Sequence, residues 1–92
     1  MARVPKVKIP PPYRGPTRGA SEVKVEGETV LACLDAVESL HPGFRPQVLD
    51  EKGEPHRFVR LFLNGDELGE DALATRVGPG DEVEVLAAIA GG

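Results

Sequence analysis

Ninety-two residues, 40% hydrophobic and 28% charged, suit a single small domain with little room for an enclosed active site. No apolar run approaches the roughly 20 residues a membrane span needs, and Met1 to Pro12 carries Arg3, Lys6 and Lys8 without an apolar signal region. One cysteine, Cys33, permits no internal disulfide, so a cytoplasmic location is expected, with no membrane partner.

The net charge of −4 is uneven. Residues 1–24 hold six of the eleven basic side chains and one acid, Glu22, while the remaining 68 residues carry five basic against 14 acidic groups, a balance of −9. An acidic body repels nucleic acid and suits a basic protein partner, or is simply a solubilising surface.

Val4 to Ile9 sets Val7 and Ile9 against Lys6 and Lys8, the alternation of a half-buried strand. Pro5 lacks an amide proton and belongs at the strand's start, and Pro10-Pro11-Pro12 ends it. The segment up to Gly19 reads as a stiff surface loop to which the sequence attaches no role. Ser21 to Val25 alternates again with Val23 and Val25 inward, so the two strands form a hairpin with a long loop.

Thr29 is a suitable helix N-cap, since its hydroxyl can accept from a first-turn amide that lacks a helical partner. The helix then lines up Val30, Leu34 and Val37 on one face, with Leu40 as an extension, and Pro42-Gly43 stops it. Cys33, inside that helix with no histidine or second cysteine nearby, reads as a small core residue rather than a nucleophile. A short helical turn is expected over Gln47 to Asp50, then a loop at Lys52 to Pro55. A lone His56 without a second ligand is structural or solvent-facing.

Arg57 to Leu63 is the strongest strand, and Asn64-Gly65 is a tight-turn signal. Its aliphatic side, Val59, Leu61 and Leu63, faces the core. Phe58, Arg60 and Phe62 form the other side, on which Phe58 is expected to be covered. A short strand at Glu67-Leu68 and an irregular stretch lead to the Gly78-Pro79-Gly80-Asp81 turn. The last strand, Glu82 to Ala87, places Val83 and Val85 inward and Leu86 outward.

This order predicts an α+β fold: a mixed sheet of four to five strands, one main helix on one face, and the first and last strands adjacent and parallel. That is the β-grasp, here residues 1–87, followed by a tail over 88–92. The tail, Ala88-Ile89-Ala90-Gly91-Gly92, spans at most about 17 Å when extended. Lacking Cβ atoms, Gly91 and Gly92 can thread a slot too narrow for other residues and present a bare carboxylate. At ordinary glycine usage two terminal glycines arise by chance in about 0.5% of chains, so the pair gains weight only beside the predicted fold.

The Phe58 to Gly65 strand and turn, Gly80-Asp81-Glu82-Val83 and the Gly-Gly tail together resemble the small sulfur carriers related to MoaD and ThiS. His56-Arg57-Phe58-Val59 is most similar to the carriers of thiocarboxylate-dependent cysteine synthesis. The resemblance implies that Gly92 is adenylated and converted to a thiocarboxylate, with Gly91 its necessary neighbour. The chain itself would bind no cofactor: ATP and the sulfur donor are used by an E1-like adenylating enzyme. That enzyme would dock on the exposed sheet face, where the strand reading separately places Phe62 and Leu86 among Arg60, Glu82 and Glu84. Phe62 is either such a contact or covered by the chain's own 44–56 segment.

Further implied partners are a sulfur-accepting synthase and a metal-dependent peptidase. Alternative destinations are the small-subunit role in molybdopterin synthase, sulfur supply for thiamine or transfer-RNA thiolation, conjugation to lysines as a ubiquitin-like modifier, or a plain binding module. No nucleophile–base pair, phosphate loop or metal-ligand cluster stands in the sequence, so catalysis by the chain is not expected.

Overall fold

A computed structural model describes residues 4–88. Five strands form one sheet: β1 (Lys6–Lys8), β2 (Glu22–Lys24), β3 (Val59–Leu63), β4 (Asp66–Glu67) and β5 (Glu82–Ala87), in the spatial order β2-β1-β5-β3-β4. β1 pairs parallel with β5, and every other neighbour is antiparallel. The first and last strands therefore lie side by side at the centre, as the element order predicts.

The register puts Val23, Val7, Val83 and Leu63 in one cross-sheet row. Val85 and Leu61 pair in the next row. Strand side chains alternate between faces, so these rows make one face apolar. Against it packs α1 (Val30–Leu40), which buries Val30, Cys33, Leu34 and Val37 completely. Thr29 caps α1 as expected, its Oγ1 accepting from the Ala32 amide at 3.0 Å. Leu40, by contrast, is 60% exposed: the helix ends at that residue, and the last position of the stripe overhangs the sheet's edge strand rather than covering the core.

The short helix α2 spans Arg45–Val48, two residues earlier than the predicted turn. The cause is a tertiary cap. The Glu38 carboxylate of α1 accepts from the Arg45 amide at 2.7 Å and the Gly43 amide at 3.2 Å, supplying partners that a helix start lacks. Arg45 Nε returns to Asp35 Oδ1 at 2.8 Å, tying the two helices together. Phe44, Val48 and Leu49 are thereby buried in the core, joining α1 and the inner row of the sheet.

Asn64 and Gly65 both adopt positive φ, 51° and 89°, the paired left-handed geometry of a two-residue hairpin. This sets Leu63 opposite Asp66, so β4 begins one residue before the predicted Glu67.

Candidate functional site

The face of the sheet opposite α1 carries the predicted docking residues. One cross-sheet row runs Glu22, Lys8, Glu84, Phe62, Glu67, and the next toward the end of β5 pairs Leu86 with Arg60. Leu86 is 37% exposed and Phe62 half-buried within its row. The 44–56 segment does not cover this face: its apolar residues Phe44, Val48 and Leu49 all lie in the core on the helix side. Phe62 is thus flanked by Glu84 and Glu67, and Arg60 pairs with Glu67 at 3.5 Å.

Phe58 corrects the sequence reading. It is 44% exposed, not covered, because it shares the parity of Arg60 and Phe62 and lies just before β3 begins. The Arg57 guanidinium lies over its ring, 5.1 Å from the centroid. The parity that sets it beside Arg60 and Phe62 was the available signal.

Phe58 also locates the root of the tail. The Ala88 amide donates to the Phe58 carbonyl at 2.6 Å, so pairing with β3 continues one residue past β5. Ile89, Ala90, Gly91 and Gly92, the rest of the predicted tail and its reacting end, lie outside the described residues. The apolar side chains of Phe58 and Leu86 therefore lie beside Ala88, the last described residue.

Other chemistry-bearing groups are occupied structurally. A hollow of about 480 Å³ is lined by Glu38, Arg45, Asp50 and His56. Two of its carboxylates have structural partners: Glu38 caps α2, and Asp50 Oδ1 accepts from the Lys52 and Glu54 amides. The Glu54 amide foremost holds the Asp50 carboxyl below its usual range. His56 is exposed, with Nε2 2.9 Å from the Pro46 carbonyl. Cys33 is fully buried, and burial pushes its thiol above its ordinary value, opposite to what a nucleophile needs. Among the described residues no group of histidine, cysteine or acidic side chains could hold a metal, and no helix is long and apolar enough to cross a membrane.

A five-stranded mixed sheet with parallel first and last strands and one main helix on one face defines the β-grasp class of ubiquitin-like proteins. The chain belongs to the ThiS family, whose model matches residues 13–92. It is 34% identical to the sulfur carrier protein CysO of Mycobacterium tuberculosis over 89 residues, which cover 94% of this chain and 96% of that protein.

Among solved structures, the Amycolatopsis orientalis BexX/CysO complex includes a chain that matches at a TM-score of 0.87 and 35% identity, covering 96% of this chain and 99% of that one. The crystal structure of M. tuberculosis CysO matches at a TM-score of 0.85 and 31% identity, covering 92% and 99%. Small archaeal modifier protein 1 of Haloferax volcanii shares the fold, with a TM-score of 0.80, 24% identity and coverage of 96% and 98%.

Proposed function

We propose that this chain is a protein co-substrate rather than a catalyst: a cytoplasmic sulfur carrier whose C-terminal Gly92 accepts and delivers sulfur, with cysteine synthesis as the destination. The observation that carries the reading is likeness to a sulfur carrier across 94% of the chain, in a sequence that ends Gly91-Gly92. A lone carboxylate is a poor acylating agent until one oxygen becomes a leaving group. An E1-like partner would supply that by joining Gly92 to the adenylyl group of ATP and releasing pyrophosphate. Sulfide attack on the acyl carbon would then expel AMP and leave a thiocarboxylate.

What the carrier must contribute is slenderness at the reacting end and a surface that selects the partner. Gly91 and Gly92 supply the first, with Ala88, Ile89 and Ala90 as the arm. Phe58, Leu86, Phe62 and Arg60 on the open sheet face supply the second. Delivery to an activated serine derivative on a synthase, followed by release of cysteine by a metal-dependent peptidase, completes the route. The carrier itself holds no cofactor through these steps.

The test is mass spectrometry after incubation with the adenylating enzyme, ATP and sulfide. A gain of about 16 Da, the replacement of oxygen by sulfur, is expected on the C-terminal peptide. Absence of the gain, or its persistence after deletion of Gly92, overturns the reading. Cysteine formation from the thiocarboxylate and O-activated serine then distinguishes this destination from molybdopterin, thiazole or transfer-RNA thiolation.

A further inference from the structure

The proline-rich segment between β1 and β2 is held by its own bonds. Pro11–Tyr13 forms a 3-10 turn, and the Gly19 amide donates to the Arg14 carbonyl at 2.8 Å. Thr17 is buried, with Oγ1 within 3.0 Å of the Ala20 carbonyl and 3.3 Å of the Arg14 carbonyl. Arg14 Nε donates to the Ile9 carbonyl at 2.9 Å, folding the arginine back over the end of β1. Fixed prolines and these closures make the loop a preformed wall rather than a free excursion.

That wall faces β5. Pro10, Pro11 and Arg14, together with Lys8, Glu84 and Leu86, surround an open cleft of about 240 Å³. Because β1 and β5 run parallel, the cleft lies toward the Ala87 end of β5. Leu86 thus has Arg60 as its cross-strand partner on one side and lines the cleft together with Pro10 and Pro11 on the other.

The loop's charge is the reverse of the body's. Between Ile9 and Ser21 there are two arginines, Arg14 and Arg18, and no acid. Arg14 makes no ion pair among the described residues, so its terminal nitrogens retain free donors beside the cleft.

We propose that this cleft is a second docking point for the adenylating partner. It receives one apolar side chain of that enzyme between Pro11 and Leu86, and Arg14 binds a carboxylate beside it. Leu86 then belongs to both contacts, joining the sheet face to the loop, and the partner recognises the carrier by grasping both sides of the tail's root. The inference rests on the sulfur-carrier reading above and names how the partner is chosen.

The experiment is ATP–pyrophosphate exchange by the adenylating enzyme as a function of carrier concentration, with wild type, Ser21→Phe and Arg14→Gln. Ser21 is exposed and lines the cleft, so phenylalanine there fills it without entering the core. Each variant should raise KM for the carrier about tenfold, the equivalent of 1.4 kcal/mol of binding, with kcat within about twofold. Arg14→Gln should also weaken the salt dependence of KM. Circular dichroism melts establish that the variants are folded, and Arg14→Lys, which keeps the charge, should recover part of the loss. KM values within about twofold of wild type for both folded variants overturn the proposal and confine docking to the sheet face. Absence of exchange with wild type overturns the sulfur-carrier reading itself, and this inference with it.

Discussion

Asn64 and Asp81 lock together two turns that are distant in sequence. Asn64 Nδ2 donates to Asp81 Oδ1 at 3.1 Å, while Asn64 Oδ1 accepts from the Glu82 amide at 2.9 Å. Asp81 Oδ2 accepts from the Gly78 amide at 2.8 Å, closing its own turn. The hairpin after β3 and the entry to β5 are thus one hydrogen-bonded unit, and it sets the register of the strand that leads to the tail.

The Gly78 amide, and after it the Asn64 side chain, hold the Asp81 carboxyl below its ordinary value of 3.8. A folded-state value below the unfolded one contributes stability that is complete above about pH 4 and lost as pH falls through the lowered value. Denaturant titrations should show Asp81→Asn narrowing the gap between neutral and strongly acidic pH. Asn64→Gly, which keeps the left-handed turn but removes the side-chain bonds, should cost about 1 kcal/mol at neutral pH. An unchanged acid limb in Asp81→Asn would remove this carboxylate from the account.

Thr29→Ala deletes the hydroxyl that caps the main helix. The expected cost is about 1 kcal/mol, read as a melting temperature lower by about 4–8 °C for a domain of this size. Thr29→Ser should restore most of it, since serine keeps the acceptor.

Gly27 lies against the first turn of the same helix. A Cβ added there would sit 2.9 Å from the Cys33 backbone nitrogen and 3.0 Å from the Ala32 carbonyl carbon, and backbone cannot move aside as a side-chain tip would. Gly27→Ala should therefore destabilise by about 1–3 kcal/mol in chemical denaturation. In the same samples, a thiol reagent should label Cys33 slowly in wild type and faster in the variant, because only opening exposes the buried sulfur.

Phe58→Ala and Leu86→Ala remove exposed apolar groups, so stability should stay within about 0.5 kcal/mol of wild type. On the docking role proposed for them, their effect falls on partner binding. KM for the carrier in the adenylation assay should rise about tenfold while kcat holds, as for residues that contribute uniform binding. A selective fall in kcat would instead place them at the reaction step.

Elements set by local chemistry were legible in the sequence. The boundaries of β5 follow its strict alternation after a Gly-Pro-Gly-Asp turn, and the Thr29 cap and the Asn64-Gly65 hairpin follow from residue type alone. Elements decided by distant contacts were not. The start of α2 depends on Glu38, seven residues before the Arg45 amide it accepts from, and nothing in 44–50 reports that partner. The burial of Thr17 depends on a loop folding onto its own carbonyls. Of the candidate site, the parity of β3 and β5 correctly placed Arg60, Phe62 and Leu86 on the open face, while the cover expected for Phe58 is not found.

The central position of β5 also has a mechanical meaning. A partner that grips the end of this chain pulls along β5, which is bonded to β1 on one side and β3 on the other. Ladder bonds run across the strands, so such a pull shears both rows together instead of peeling one bond at a time. Because β1 is parallel to β5 and lies near the opposite terminus, tension between the two ends loads that same interface in shear. The domain is therefore built as a stiff handle: force applied along β5 is shared between its ladders with β1 and β3.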